Sequence, residues 1–321
     1  MFLGVDGGGT KTAFCLLTRS GDVAATVEAA SAYSPGDLGI LTQVLQDGVR
    51  EVCSRAGITR HDVRQAFFGI PAYGESRAAV PLIDAVPRQV LGHDRYSCDN
   101  DMVCGWAGSL GLADGINVIS GTGSMAYGER AGRRARTGGW GELFGDEGSA
   151  YWIAVRGLSA FSRMSDGRQP SGPLHEMVLE HFSAVVDFDV LDVALNEWRG
   201  DRGRVAALCP VVVQAADAGD PCAAEIVEDA AAELVGLVDA ARRRLEFPAG
   251  SDVPVSHSGG VFNAHAVRQA FGRRLAATQG GYRLVPPVYS PVVGAALYAA
   301  KQAGLPLNGD ALQRLASSAR H

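Results

Sequence analysis

Apolar residues fall in short runs broken by glycine and polar turns, and their spacing alternates between strand-like and helical along the chain. Runs at 2–6, 13–18 and 23–29 have strand length. A glycine-rich turn and Ser20-Gly21-Asp22 separate them, which predicts three consecutive antiparallel strands. After a loop at 31–39, Leu41, Val44, Leu45, Val49 and Val52 recur at helical spacing and predict a helix over 40–56. A short buried strand follows at 66–70. Next come a helical stretch at 78–91 interrupted by Pro81 and Pro87, a strand at 95–98, and a helix at 102–110. The order β-β-β-α-β-α-β-α makes a mixed sheet with helices on its faces.

The pattern then restarts. Strand 115–120 leads into Gly121-Thr122-Gly123-Ser124, and strands 125–129 and 133–137 follow. An apolar strand, a small glycine turn and an antiparallel strand therefore occur twice, near residues 6 and 121. An internal duplication is the economical reading. The joint falls in the turn 111–115. A mainly helical region comes next, with helices predicted at 147–161, 173–181, 190–196, 204–218 and 221–246. Strand 252–257 ends in Ser258-Gly259-Gly260-Val261. Asn263 can cap a helix running to 275. Strand 282–285, a closing helix at 290–303 and a polar tail or short helix complete the chain.

Composition narrows the function classes. At 321 residues there is room for two domains, and 47% apolar with 20% charged residues is ordinary for a globular chain. The net charge of −6, with no Lys/Arg block beyond Arg242-Arg243-Arg244 at a helix end, argues against a nucleic-acid partner. No apolar run reaches the roughly 18 residues of a membrane span. Met1 begins a strand directly, so no signal peptide is expected. The six cysteines, Cys15, Cys53, Cys98, Cys104, Cys209 and Cys222, form no CxxC pair and lack zinc-ligand spacing. They read as reduced thiols, and the expected location is cytoplasmic.

The chemistry concentrates in the glycine turns. In Asp6-Gly7-Gly8-Gly9-Thr10-Lys11-Thr12, the glycines let backbone N–H groups converge on one spot, a nest suited to phosphate oxygens. Lys11 and the hydroxyls of Thr10 and Thr12 add charge and donors. Asp6 at the strand end can hold a hydrated Mg2+ facing the same phosphates. A glycine hairpin with no ligand is the alternative. With Gly121–Ser124 across a cleft, a polyphosphate can bridge the two turns.

Four stretches together resemble a known family. Asp6–Thr12 is similar to the first phosphate motif of the actin, Hsp70 and sugar-kinase superfamily, Ser120–Ser124 to its second, and Ser258–Val261 to its adenosine motif. Gly138-Gly139-Trp140-Gly141 followed by Gly145-Asp146-Glu147-Gly148-Ser149-Ala150 is narrower. It resembles the N-acetylglucosamine kinases and their bacterial relatives of the BadF/BadG/BcrA/BcrD group. The resemblance implies an α/β fold of two RNase-H-like, actin-like ATPase domains with an interdomain cleft. They are expected at 1–112 and at 113–289 with a helical insertion, and the C-terminal segment 290–321 returns to the first. It implies ATP and Mg2+ as cofactors, a small-molecule sugar substrate, no membrane partner and a homodimer.

The implied reaction is phosphoryl transfer from ATP to an amino sugar, N-acetylglucosamine or a related hexose, at its 6-hydroxyl. Such transfer needs a base to take the hydroxyl proton. The resemblance places it just after strand 95–98, at Asp101. Asp101 as a mere N-cap of the next helix, and Asp99 as the base, are the alternatives. The resemblance sets Gly8, Gly9, Thr10 and Lys11 on the γ-phosphate, Thr122, Gly123 and Ser124 on the β- and γ-phosphates, and Gly259 and Gly260 against the adenosine. Gly139, Trp140, Gly141, Asp146 and Ala150 belong to the sugar segment. Asp146 is suited to accept bonds from vicinal hydroxyls, and Glu147 to favour the next helix N-terminus. Trp140 either stacks on a sugar face or packs the interior. His257 and Cys104 carry no assignment. The loop 30–37 lacks the Asn common in the family, and Met125 replaces a polar residue of the mammalian-type enzymes. Two other readings compete. One is an ATPase that activates a partner reductase or dehydratase through a cysteine-held iron–sulfur cluster, against which Val118-Ile119-Ser120 stands where that branch carries Cys-Ala-Ala. The other is a non-catalytic sugar sensor.

Overall fold

A computed structural model describes residues 1–9, 11–32, 37–71 and 73–318. The chain divides into two compact units, residues 1–113 with 286–321, and residues 114–285.

In the first unit β1 (Phe2–Gly7), β2 (Lys11–Leu17) and β3 (Val23–Ala30) run antiparallel. The chain passes through α1 (Leu38–Arg55) to β4 (Gln65–Gly69), through α2 (Val80–Leu91) to β5 (Tyr96–Asp99), and on into α3 (Met102–Leu110). The sheet order is β3-β2-β1-β4-β5, with β4 parallel to β1 and β5 parallel to β4. Alternation along β2 explains its apolar run. Phe14 and Leu16 join a core with Leu41, Leu45 and Val49 of α1 and Ile83, Val86 and Val90 of α2, whereas Cys15 and Leu17 belong to a second cluster.

The second unit repeats the plan. Strands β6 (Gly115–Ser120), β7 (Ser124–Arg130) and β8 (Arg133–Gly138) are antiparallel. Six helices follow: α4 (Ala150–Ser165), α5 (Pro173–Phe182), α6 (Asp187–Asp192), α7 (Arg202–Ala206), α8 (Cys209–Asp217) and α9 (Pro221–Arg244). Strand β9 (Val253–Ser258), α10 (His265–Ala277) and β10 (Tyr282–Leu284) complete it, in the order β10-β9-β6-β7-β8. With β6 in the place of β1, this is the sheet order of the first unit. The duplicated α/β plan is that of the RNase-H-like halves of actin-like ATPases; α9, packed on β6, β7 and β8, takes the place of α1, and the helices α4 to α8 before it are an insertion. The chain then returns to the first unit with α11 (Pro291–Gln302) and α12 (Gly309–Ser318). Val293, Ala296 and Leu297 of α11 and Leu315 of α12 fill the second cluster with Cys15 and Leu17.

Several element limits differ from the pattern-based expectation. The helix expected from 147 begins at Ala150, because Asp146 takes φ +56° and Gly148 φ +77°; Ser149 caps it by accepting the Trp152 N–H at 3.2 Å. The helix expected over 204–218 is two, since Pro210 restarts the chain as α8. Asn263 does not cap α10: it ends a short 3-10 turn, and its carbonyl accepts from Arg268 Nη1 at 2.7 Å. Pro81 opens α2 instead of breaking it, and the helix runs on through Pro87. The segment after Pro306 is a helix, held at its start by Asn308 Oδ1, which accepts the Ala311 N–H at 3.0 Å. Among the described residues no helix is long and apolar enough to cross a membrane.

Candidate functional site

Parallel strands bring their C-terminal ends to one edge of a sheet, the usual place for ligand chemistry in open α/β layers. In the first unit that edge carries Asp6 near the end of β1, Gly69 at the end of β4, and Asp99 at the end of β5, with Asp101 two residues further on. The cap of α3 separates the two readings of Asp101. The Met102 N–H donates to Asn100 Oδ1 at 3.2 Å, while the Asp101 side chain makes no cap hydrogen bond. Buried Asn100 spends its amide on the carbonyls of Pro71, at 2.7 Å, and Tyr73, at 3.2 Å. Asp99 accepts the Asn100 N–H at 2.8 Å. Asn100 therefore supplies the side-chain cap of α3, while the Asp101 carboxyl faces the backbone N–H groups of Met102 and of Asp101 itself, which lower its pKa.

Burial, and secondly the charge of Asp6, push the Asp101 carboxyl up to about 7. Burial also raises Asp6, to about 6, against the opposing pull of a hydrogen bond from Cys104 and the charge of Lys11. Cys104, to which the sequence reading gave no role, is fully buried beneath the pair, and its thiol donates to the Val5 carbonyl at 3.6 Å. Two carboxyls raised together in this way form an anionic corner poor in compensating charge. The donor set fits Mg2+, a hard cation that takes one or two carboxylates together with phosphate oxygens. Among the described residues no group of three His, Cys, Asp or Glu side chains is arranged to hold a metal by itself.

The first glycine turn closes with the Gly8 N–H donating to the Lys11 carbonyl at 2.8 Å, and the Ser31 hydroxyl donates to the Gly8 carbonyl at 2.8 Å. Gly9 is exposed, with open space around it. Thr10 lies outside the described residues, as do positions 33–36 of the loop where the family's Asn was sought. Thr12 is committed elsewhere: it is buried, and its hydroxyl accepts the Ala32 N–H at 3.0 Å. Lys11 pairs with Glu28 on β3, and both side chains are more than half exposed.

The second turn lies between β6 and β7 and is cross-braced. The Gly121 N–H donates to the Gly123 carbonyl at 2.9 Å, and the Ala150 N–H donates to the Gly121 carbonyl at 2.8 Å. Ser120 donates its hydroxyl to the Gly148 carbonyl at 2.8 Å, and Ser124 to that of Glu147 at 2.6 Å. Ser124 is buried, so its single O–H is spent on this brace and only its backbone remains for a phosphate. Thr122 is exposed. Gly259 abuts the same turn: a Cβ there would lie 2.2 Å from the Ser120 carbonyl oxygen, and φ is +97°. Its glycine is thus required by the close approach of the backbone, while Gly260 beside it is exposed and open.

The segment 138–150 wraps this turn. Trp140 is 73% exposed, which removes the reading that packs it in the interior. Leu143 and Phe144 are exposed as well. Asp146 is the reverse: 3% exposed, it accepts from Arg202 Nη2 at 2.5 Å. Burial raises its pKa and the Arg202 charge opposes. Asp146, expected from the sequence to accept from sugar hydroxyls, is buried here with Arg202 as its partner. Glu142 lies 3.4 Å from Arg202 Nε. Arg202 is the residue that sequence reading missed. It stands 56 positions from Asp146, on a five-residue helix of the insertion, with no motif around it.

The structure thus gathers Asp6, Gly8, Lys11 and Asp101 in the first unit. In the second it gathers Gly121–Ser124, Gly139–Ala150 and Gly259–Gly260. The BadF/BadG/BcrA/BcrD ATPase family matches residues 3–299. The chain is 26% identical over 310 residues to the N-acetyl-D-glucosamine kinase of Dictyostelium discoideum, covering 93% of this chain and 97% of that protein. It is 29% identical over 263 residues to the N-acetylmuramic acid/N-acetylglucosamine kinase of Clostridium acetobutylicum, covering 81% and 85%. A crystal structure from Chromobacterium violaceum, of a protein provisionally called an N-acetylglucosamine kinase, superposes with a TM-score of 0.72 at 25% identity, covering 92% and 97%.

Proposed function

The chain belongs to the BadF/BadG/BcrA/BcrD ATPase family, and from that premise we propose that it is an ATP- and Mg2+-dependent kinase of N-acetylglucosamine or a closely related amino sugar, acting at the 6-hydroxyl. The observation that carries this reading is the carboxyl pair of the first unit. Asp101 sits past the end of β5, where Asn100 gives the side-chain cap of the next helix, and burial with the charge of Asp6 raises it to about 7, where a general base works near neutral pH. Asp101 accepts the proton of the sugar hydroxyl as that oxygen attacks the γ-phosphorus, and ADP leaves. Asp6 would hold Mg2+ beside the phosphates. Bound with the nucleotide, the cation neutralises phosphate charge and lowers the carboxyl pKa values.

The backbone amides of Gly8, Gly9 and Gly121–Gly123, with Lys11, serve the phosphates as donors aimed at charge that develops during transfer. Lys11 leaves Glu28 at little cost, since an exposed pair contributes only about 0–1 kcal/mol. Trp140 offers its exposed ring to a sugar face, with Gly139 and Gly141 on either side. Asp146 and Ala150 hold that segment to the second turn from beneath.

The test is a coupled ADP-release assay over glucosamine, N-acetylglucosamine, N-acetylmuramic acid, N-acetylmannosamine and glucose. The reading expects the N-acetylated amino sugars to give the highest kcat/KM. If none of the sugars stimulates ADP release, the kinase assignment falls. The position of the phosphoryl group follows from 31P–1H correlation on the product.

A further inference from the structure

We propose that Arg202 is a phosphate-binding residue of the second turn, a guanidinium delivered from the helical insertion to the β- and γ-phosphates of the nucleotide. The inference rests on the kinase reading and extends it to a residue outside every motif. Three observations place it. A Cβ at Gly123 would lie 2.4 Å from Arg202 Nη2 and 2.6 Å from Asp146 Oδ2, so the guanidinium is packed against the backbone of the turn itself. The cation is also held there: buried Asp146 takes Nη2, and Glu142 stands 3.4 Å from Nε. Finally, Arg202 Nε is buried yet donates to no partner in hydrogen-bond geometry.

A buried donor left unused costs free energy unless a ligand takes it. The amides of a glycine turn attract anions, and a guanidinium beside them presents the planar fork that suits phosphate oxygens. Asp146 fixes one edge of the guanidinium and cannot withdraw, being buried and tied to this segment. Glu142 is exposed and free to move aside. Phosphate therefore competes with Glu142, not with Asp146. The assignment also gives a reason for glycine at 123, since any side chain there would displace the cation from the turn.

The test uses the full chain and two probes, AMPPNP with Mg2+ and AMP, titrated calorimetrically without sugar. Arg202→Gln is expected to weaken AMPPNP by roughly 10- to 100-fold, the worth of a charged hydrogen bond, and to leave AMP unchanged. Arg202→Lys keeps the charge and loses the fork, so it falls between. Glu142→Gln removes the competitor and is expected to tighten AMPPNP about 2- to 3-fold, the worth of a surface ion pair. If AMPPNP binding is untouched in Arg202→Gln while the KM for sugar rises, Arg202 only braces the loop and the proposal is wrong. An equal loss for AMPPNP and AMP overturns it too, as distortion of the whole site. If the unaltered chain binds no AMPPNP, the nucleotide reading itself fails, a result distinct from binding that ignores Arg202. Arg202→Lys and Glu142→Gln keep the question open to measurement should Arg202→Gln fail to fold.

Discussion

The turn after β1 and the turn after β6 occupy the same place in two copies of one sheet, yet they are built on opposite electrostatic plans. The first carries Asp6 and faces Asp101, two carboxyls raised by burial, Asp101 also by the charge of Asp6. The second carries no acid of its own. Its nearest carboxyl, Asp146, is neutralised by Arg202, and serine hydroxyls stitch the strand ends to residues 147 and 148. The first corner stores uncompensated charge, and the second distributes compensated charge into a rigid brace. The proposed reaction calls on both properties, a carboxyl that can take a proton and a rigid frame of backbone donors.

The sharpest way to break this contrast is Asp101→Asn. Turnover is expected to fall by at least roughly a thousand-fold, the upper part of what one general base contributes, with sugar binding retained. The same change is expected to stabilise the fold. An unfolded Asp titrates near 3.8 and the folded Asp101 near 7, so the folded chain holds the proton longer. The contribution of Asp101 to stability is greatest below about pH 4 and is lost as pH rises toward 7. Asp101→Asn should therefore raise Tm more at pH 8 than at pH 5, by scanning calorimetry. A large loss of Tm at pH 8 would show that the corner is not strained by its charge.

Next in size is Asp146→Ala, which leaves Arg202 without its buried partner. A loss of about 2 kcal/mol in denaturant midpoint analysis is expected, less than for a fully buried pair because Arg202 is partly exposed. No loss would mean that the second turn is not braced as described. A smaller effect concerns pH. Below saturating Mg2+, kcat/KM is expected to rise with pH through about 7 as Asp101 loses its proton, and more Mg2+ should move the midpoint down. A flat profile over pH 5.5–8.5 would remove Asp101 as the titrating base. The smallest effect is Glu28→Gln: it should change stability by less than about 0.5 kcal/mol, because its pair with Lys11 is exposed.

The sequence made the first corner legible and the second only in part. Asp6 and the glycines stand out because their chemistry is local, an acid at a strand end and a turn without side chains, whereas Asp101 was singled out by the family resemblance. The doubled strand-turn-strand pattern likewise exposed the repeat, since register and turn chemistry are short-range. Arg202 was invisible because nothing in a five-residue helix points 56 positions back to Asp146. The protein partners of Asp146 and Ser124 were hidden for the same reason. A motif reports which residue stands at a position, whereas burial decides whether its oxygens face a ligand or a neighbouring carbonyl. Asn100 illustrates the converse: it stands beside Asp101 ahead of α3, and only the folded geometry shows that its Oδ1 takes the Met102 N–H.

The first strand is finished by the last helices. Gly4 of β1 comes so near α11 that a Cβ would sit 2.3 Å from the Ala296 nitrogen, and Leu17 shares its cluster with Leu297 and Leu315. During synthesis on the ribosome the second unit is contiguous and can be completed once residue 285 has emerged. The first unit, although made earlier, waits with that face of β1 bare until Pro291–Gln302 arrives. The order of emergence is therefore the reverse of the order of completion. The nascent chain spends most of its translation exposing an apolar strand surface to chaperones, and a ribosome stalled before residue 291 would release a molecule with one finished half and one permanently open seam.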